Sequence, residues 1–173
     1  MWAFRRGYDL LSTPWREPFA RVATLYRQAM DIAAAVTPAR APRFAVSRMT
    51  FVGATDGEAL DAMADIQGSH RVFTGLFKNQ AIVKGGFATA LPVDDELAHD
   101  QLLANLVAGS PATCVDKLRA YEALGVSQFV VYAAFGPDHR RTMASLRRFA
   151  AEVMPHFTRG AAASPAALGR NGP

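Results

Sequence analysis

The chain has 173 residues, of which 50% are apolar and 20% charged, and its formal net charge is +4. These proportions suit one soluble domain with a real core, and no apolar run approaches the roughly 18 residues of a membrane span. A single cysteine, Cys114, excludes an internal disulfide. That usage fits a reducing compartment, and Gly7-Tyr8-Asp9 follows Arg5-Arg6 where a signal peptide would need an apolar stretch, so a cytoplasmic location is expected.

The positive charge is almost all arginine, with Lys78, Lys84 and Lys117 the only lysines. A nucleic-acid partner would want aromatic residues interleaved with the basic ones, and none stand among Arg140-Arg141 and Arg147-Arg148. Their helical spacing beside an apolar stripe reads instead as solvated helix faces. Neither a nucleic-acid nor a membrane partner is expected.

In chain order, Gly7 to Leu11 reads as a short strand ended by Ser12-Thr13-Pro14. A helix follows over about 17–35, with Phe19, Val22, Tyr26, Met30 and Ala33 recurring three or four apart. Thr37-Pro38 and Ala41-Pro42 stop it, because proline lacks the donor and restricts its predecessor. Arg43 to Val52 is rich in aromatic and β-branched residues and predicts a strand. Thr55-Asp56-Gly57-Glu58 matches a capping box, opening a helix with Ala59, Met63 and Ile66 on one face and an end near Gly68 or a turn or two later.

From Gly75 to Pro92 no period is sustained, which reads as a long loop or insertion containing Gly85-Gly86. A short helix runs from Asp94 or Asp95 to about Asn105. Ser110-Pro111 then starts a helix carrying Val115, Leu118 and Tyr121 inward and stopping at Gly125. Gln128 to Ala134 is an apolar run of strand length. The last helix starts near Asp138, with Met143, Leu146, Phe149, Ala150, Val153 and Phe157 as its stripe, and residues 159–173 read as a disordered tail behind a domain spanning 1–158. Alternation of this kind implies α/β architecture with parallel strands joined by helical crossovers. Only three strands are legible, so Phe44, Val46, Phe129 and Val131 are expected to need cover from outside the chain.

Three stretches stand in a meaningful order. They are Arg6-Gly7-Tyr8-Asp9-Leu10-Leu11-Ser12 with Leu25-Tyr26-Arg27-Gln28-Ala29, then Val52-Gly53-Ala54-Thr55-Asp56-Gly57-Glu58-Ala59, then Ala108-Gly109-Ser110-Pro111 through Gly125-Val126 to Phe149-Ala150-Ala151-Glu152-Val153-Met154-Pro155. Together, over about residues 6–157, they resemble the luciferase-like, flavin-dependent monooxygenase family (the bacterial luciferase family). The resemblance implies a (β/α)8 TIM-type barrel, of which this chain would be the last three or so β/α units with an insertion before the last strand. The match begins near the sixth strand, so the strands that supply most flavin contacts, and the serine-bearing segment that helps hold the FMN phosphate, are expected to be missing. Ala112 and Thr113 stand where the family usually has an acidic residue. That departure costs about 0.3–1 kcal/mol of helix stabilisation and touches no chemistry.

The resemblance implies a flavin cofactor, FMN or F420, and assigns Gly7 and Tyr8 to cofactor binding on the phosphate side. It leaves the catalytic residues unknown. Read from the residues alone, Tyr8 is rather a strand residue packing on its neighbours. His139 starts a helix above a strand end, where an acid or base could face a pocket, but that is also a common place for an idle, exposed histidine. His70, His99 and His156 have no ligand spacing, so no metal site is expected. Cys114 lacks a matched histidine and reads as a packing residue.

Two functional readings follow. In the first, the chain is the C-terminal portion of a flavin-dependent monooxygenase or other oxidoreductase acting on an apolar organic substrate, with the flavin carrying the oxygen chemistry. In the second, it is a non-catalytic, truncated barrel fragment or assembly subunit. Both expect association, as a homo-oligomer or with a chain supplying the missing strands.

Overall fold

The computed structural model describes residues 2–37 and 41–157. Pro38 and the tail expected at 159–173 lie outside the described residues. The organising element is β2 (Phe44–Val52), whose alternating side chains feed two cores at once. Phe44, Val46 and Val52 point to one face, and Met49 and Phe51 to the other.

Every pairing of this strand is parallel. β1 (Leu10–Ser12) lies along its start, with Leu10 beside Phe44. β6 (Gln128–Tyr132) runs along Ala45–Met49, and β5 (Val107–Gly109) continues along Thr50–Val52. This α/β sheet of four parallel strands corrects the expected three. Val107–Gly109 lies between two expected helices and shows no strand signal of its own, since three residues are too few to show a period.

The first core is closed by helices α2 (Phe19–Val36) and α6 (Pro111–Leu124). Val22, Val115, Leu118 and Tyr121 pack there on Phe44 and Val46. Phe44 and Val46 are therefore buried within the chain, at 4% and 0% exposed, against the expectation that they needed outside cover. Phe129 and Val131 of β6 are half-buried on the same face. The other face is covered at its C-terminal end by α3 (Asp56–Asp61), α4 (Met63–Phe77) and α5 (His99–Asn105). Ala59, Met63, Ile66, Leu102 and Leu106 meet Met49 and Phe51 in this second core.

Local signals explain most boundaries. Thr55 Oγ1 accepts from the Glu58 amide at 3.1 Å, as the capping box requires, while the Glu58 carboxylate accepts from Ala54 N at 2.5 Å. Ser110 caps α6 with Pro111 behind it, and Gly125 ends it at φ 99°. Gly7 has φ 75° and turns the chain out of a short helix, α1 (Trp2–Arg5), so β1 begins only at Leu10. The helix expected to end near Gly68 or a turn or two later divides at Ala62 into α3 and α4 and runs to Phe77, and α5 begins at His99 rather than Asp94 or Asp95. Within the expected loop, Gly85 (φ 57°) and Gly86 (φ 85°) join β3 (Val83–Lys84) to β4 (Phe87–Ala88) as a two-residue hairpin.

The final helix, α7 (His139–Arg148), widens into a π turn over Phe149–Val153 and tightens to a 3-10 turn at Met154–His156. The extra residue in the wider turn rotates the stripe, leaving Ala150 exposed and Val153 fully buried. The paired arginines of α7 are not simply solvated. Arg141 bonds Asp65 at 2.5 Å and lies over Phe51, and Arg148 donates to Val52 O at 2.7 Å.

Candidate functional site

The C-terminal ends of parallel strands gather loops that can shape a binding site. Here β1 runs out into Thr13-Pro14-Trp15-Arg16, across β2 from the end of β6 at Tyr132. Thr13, Trp15, Ser47, Met49, Phe73 and Tyr132 line a pocket of about 270 Å³ on the sheet face opposite α2 and α6. Trp15 and Phe73 meet edge to face with ring centres 4.9 Å apart, so α4 and the β1–α2 loop form one aromatic wall. The hydroxyls of Thr13, Ser47 and Tyr132 make no hydrogen bond among the described residues. An apolar hollow edged by a few hydroxyls open to a ligand is the composition of a small-molecule site.

A polar rim adjoins it. Arg16 bonds Asp95 through its carboxylate at 2.6 Å and its carbonyl at 2.8 Å. Glu96 accepts from Arg71 at 2.5 and 2.7 Å, from Gln67 at 2.9 Å and from Val93 N at 3.0 Å. Arg71 first, then the Val93 amide, hold the Glu96 carboxyl down to about 2. His70 lines a small cavity with Arg16, and burial first, then the Arg16 guanidinium, keeps it below the usual histidine range.

Behind the sheet stands a residue that the sequence reading passed over. Arg48 shares the β2 face of Phe44, Val46 and Val52 and is only 1% exposed. Its guanidinium donates to the carbonyls of Pro14, Glu17 (2.7 Å) and Asn105. Asn105 in turn donates to Arg16 O at 2.9 Å. Desolvation lowers the Arg48 pKa from its ordinary value. The signal was available, because an arginine at a core-facing position of an alternating strand needs buried partners. Lys117 closes the same corner, donating to Leu103 O, Leu106 O and Ala108 O at 2.6, 3.0 and 2.8 Å.

The expected site residues lie elsewhere. Gly7 and Tyr8 stand before β1, at the opposite end of the strand from Thr13 and Trp15, with Tyr8 54% exposed and tilted against Trp2. His139 is exposed at the first turn of α7. Cys114 is buried, and burial pushes its thiol up to about 12, which makes it inert at neutral pH. Among the described residues, no group of three or more His, Cys, Asp or Glu could hold a metal ion, and no helix is long and apolar enough to cross a membrane.

Parallel strands, helical crossovers and a pocket at the strand ends define an arc of a (β/α)8 barrel seen from its lumen. The chain belongs to the luciferase-like monooxygenase family, whose profile matches residues 2–128. It is 29% identical over 122 residues to the oxygenase component of the flavin-dependent trigonelline monooxygenase of Acinetobacter baylyi, covering 68% of this chain and 34% of that protein. Against 5,10-methylenetetrahydromethanopterin reductase of Methanopyrus kandleri it is 40% identical over 78 residues, 45% of this chain and 21% of the reductase. In fold it is similar to the oxygenating constituent of 3,6-diketocamphane monooxygenase from Pseudomonas putida, solved in complex with FMN, with a TM-score of 0.60 and 22% identity. That likeness covers 89% of this chain and 44% of the other. Monooxygenase RslO1 of Streptomyces bottropensis gives a TM-score of 0.62 at 18% identity, with 90% and 44% covered. The chain thus spans about a third or less of the curated relatives it matches and under half of the solved ones.

Proposed function

We propose that this chain forms the C-terminal β/α units of a flavin-dependent monooxygenase or related oxidoreductase that acts on an apolar organic substrate. The observation that carries this reading is the lumen-side pocket, with aromatic walls and three hydroxyls lacking partners among the described residues. Its residues fit one part of a flat, heteroatom-edged ring such as that of FMN or F420. Met49, Trp15, Phe73 and Tyr132 would face the ring system, while Thr13, Ser47 and the Tyr132 hydroxyl would bond its polar edge. The flavin, when bound, supplies the redox chemistry with oxygen or hydride. The protein's part is to orient the substrate and keep water out, which the Trp15–Phe73 wall does on its side. Gly7 and Tyr8 are proposed only as cofactor-side residues of the α1–β1 corner, away from this wall.

The outer edges of β1 and β6 carry no partner strand among the described residues, so the pocket is open on that side. Further strands, from a second chain or from more of the same protein, would close it. The edges also favour the second reading, an assembly subunit without chemistry of its own.

Titration with FMN and with F420, followed by flavin fluorescence, separates the two. Saturable binding is expected for one of them, weakened roughly fivefold or more by Tyr132→Phe, as the loss of one buried hydrogen bond implies. Tyr8→Phe is expected to weaken it less, by about two- to threefold, since the exposed Tyr8 hydroxyl only exchanges a water partner for the ligand. No saturable binding of either flavin up to millimolar concentration would leave only the non-catalytic reading.

A further inference from the structure

We propose that Arg48 is a positioning residue for the pocket, gripping the backbone of the Pro14–Glu17 loop from behind the sheet so that Trp15 and Arg16 are set on the lumen side. The inference rests on the proposed flavin site for its consequence, but the grip itself can be tested without any ligand.

Arg48 and the pocket occupy opposite faces of β2, because Ser47 and Met49, its sequence neighbours, line the pocket while Arg48 points among the helices. The loop after β1 has no strand or helix of its own between Ser12 and Phe19. Two of its carbonyls, those of Pro14 and Glu17, accept from the Arg48 guanidinium, and they flank Trp15 and Arg16. A third donation, to Asn105 O, fixes the end of α5, and Asn105 Nδ2 returns a bond to Arg16 O at 2.9 Å. The loop is therefore held at Pro14, Arg16 and Glu17 by one buried cation and the amide that cation orients. Arg16 carries the hold onward to Asp95, next to Glu96 and its bonds to α4. A planar fork of donors suits this task, because its two terminal nitrogens reach the loop carbonyls and the end of α5 in one fixed geometry.

Core support alone would show as lost stability with the pocket wall unchanged in the folded fraction. Positioning shows locally. With Trp2 replaced by phenylalanine, Trp15 is the sole tryptophan of the full chain and reports the wall by acrylamide quenching. Arg48→Met is expected to raise quenching of Trp15 several-fold under conditions where circular dichroism shows a folded protein. Flavin affinity should fall roughly tenfold or more, as displacement of a binding wall does. Arg48→Lys should be intermediate in both, and Leu118→Ala, a truncation in the α6 core, should lower the melting temperature without moving either. If Arg48→Met does not fold, Asn105→Ala tests the same loop through its bond to Arg16 and should expose Trp15 likewise.

Trp15 as protected in folded Arg48→Met, or in Asn105→Ala, as in the parent would overturn the proposal. So would equal exposure in Leu118→Ala. Should the parent bind no flavin, the flavin-site reading fails, while the quenching series still decides the role of Arg48.

Discussion

Glu96 gathers four donated hydrogen bonds from three residues, Arg71, Gln67 and Val93, and so ties the segment before α5 to α4. Its carboxyl is held at about 2 against an ordinary 4.5, first by Arg71 and then by the Val93 amide. A carboxyl with a depressed folded-state pKa favours the folded chain above its ordinary pKa, where both states are ionised. That contribution fades as pH falls from 4.5 toward about 2, where the unfolded chain takes up the proton first. The pair lies near the surface, so solvent and salt keep the effect modest. In urea titrations at low salt, the parent should lose more stability than Glu96→Gln between pH 5 and pH 3, and the two should converge at the acid end. Parallel losses would show that the Glu96 network does not hold in solution.

At the level of elements, glycine marks two turns whose demands differ. Gly125, at φ 99°, ends α6 where a Cβ would come within 2.5 Å of the Tyr26 hydroxyl. Gly136, at φ 111°, follows β6 where a Cβ would stand 2.5 Å from Asp65 O and 2.9 Å from Ile66 N, both backbone atoms of α4. A tyrosine hydroxyl can swing aside, but a helix backbone cannot. Alanine at Gly125 should cost about 1–2 kcal/mol for the left-handed backbone alone. Alanine at Gly136 should cost clearly more, read from denaturation midpoints, because β6 and α7 must also draw away from α4. Equal costs would place the strain in the backbone conformation and not in the packing.

The same elements show what a single sequence discloses. β2, α2, α6 and their caps were legible because each buries one regular face, and Thr55, Ser110 and Gly125 carry unambiguous end signals. β5 and the Gly85-Gly86 hairpin were not, since strands of three and two residues carry no period. The π turn at Phe149 was invisible too, because nothing in the residue types announces a change from a spacing of four to five. The pocket was less legible than the fold. Thr13, Ser47 and Tyr132 have ordinary strand and loop roles until register brings β1, β2 and β6 side by side. Gly7 and Tyr8 came from resemblance, and the pocket walls came from geometry.

Taken whole, the molecule buries Phe44 and Val46 under its own helices yet leaves the outer edges of β1 and β6 unpaired among the described residues. Large apolar side chains also stand out at Leu11 (59% exposed), at the end of α4 at Phe77 (83%) and on the hairpin at Phe87 (80%). Strand edges and apolar patches of this kind recruit further chain. Sedimentation velocity across micromolar concentrations should show self-association, and a strictly monomeric species throughout would mean that water alone satisfies these edges.

β2 has a consequence in time as well as in space. Its start receives β1 from close by, but its longest partnership is with β6, and Phe44 N bonds Ser127 Oγ, 83 positions further along the sequence. Contacts so distant along the chain form late, because the loop they close must be ordered before it is repaid. During synthesis, β2 leaves the ribosome with its β6 edge bare and stays so until Tyr132 has emerged. The central strand of this sheet is thus the earliest of its long strands to be made and the last to be completed, and a nascent chain arrested before Gln128 should depend on chaperones where the finished one does not.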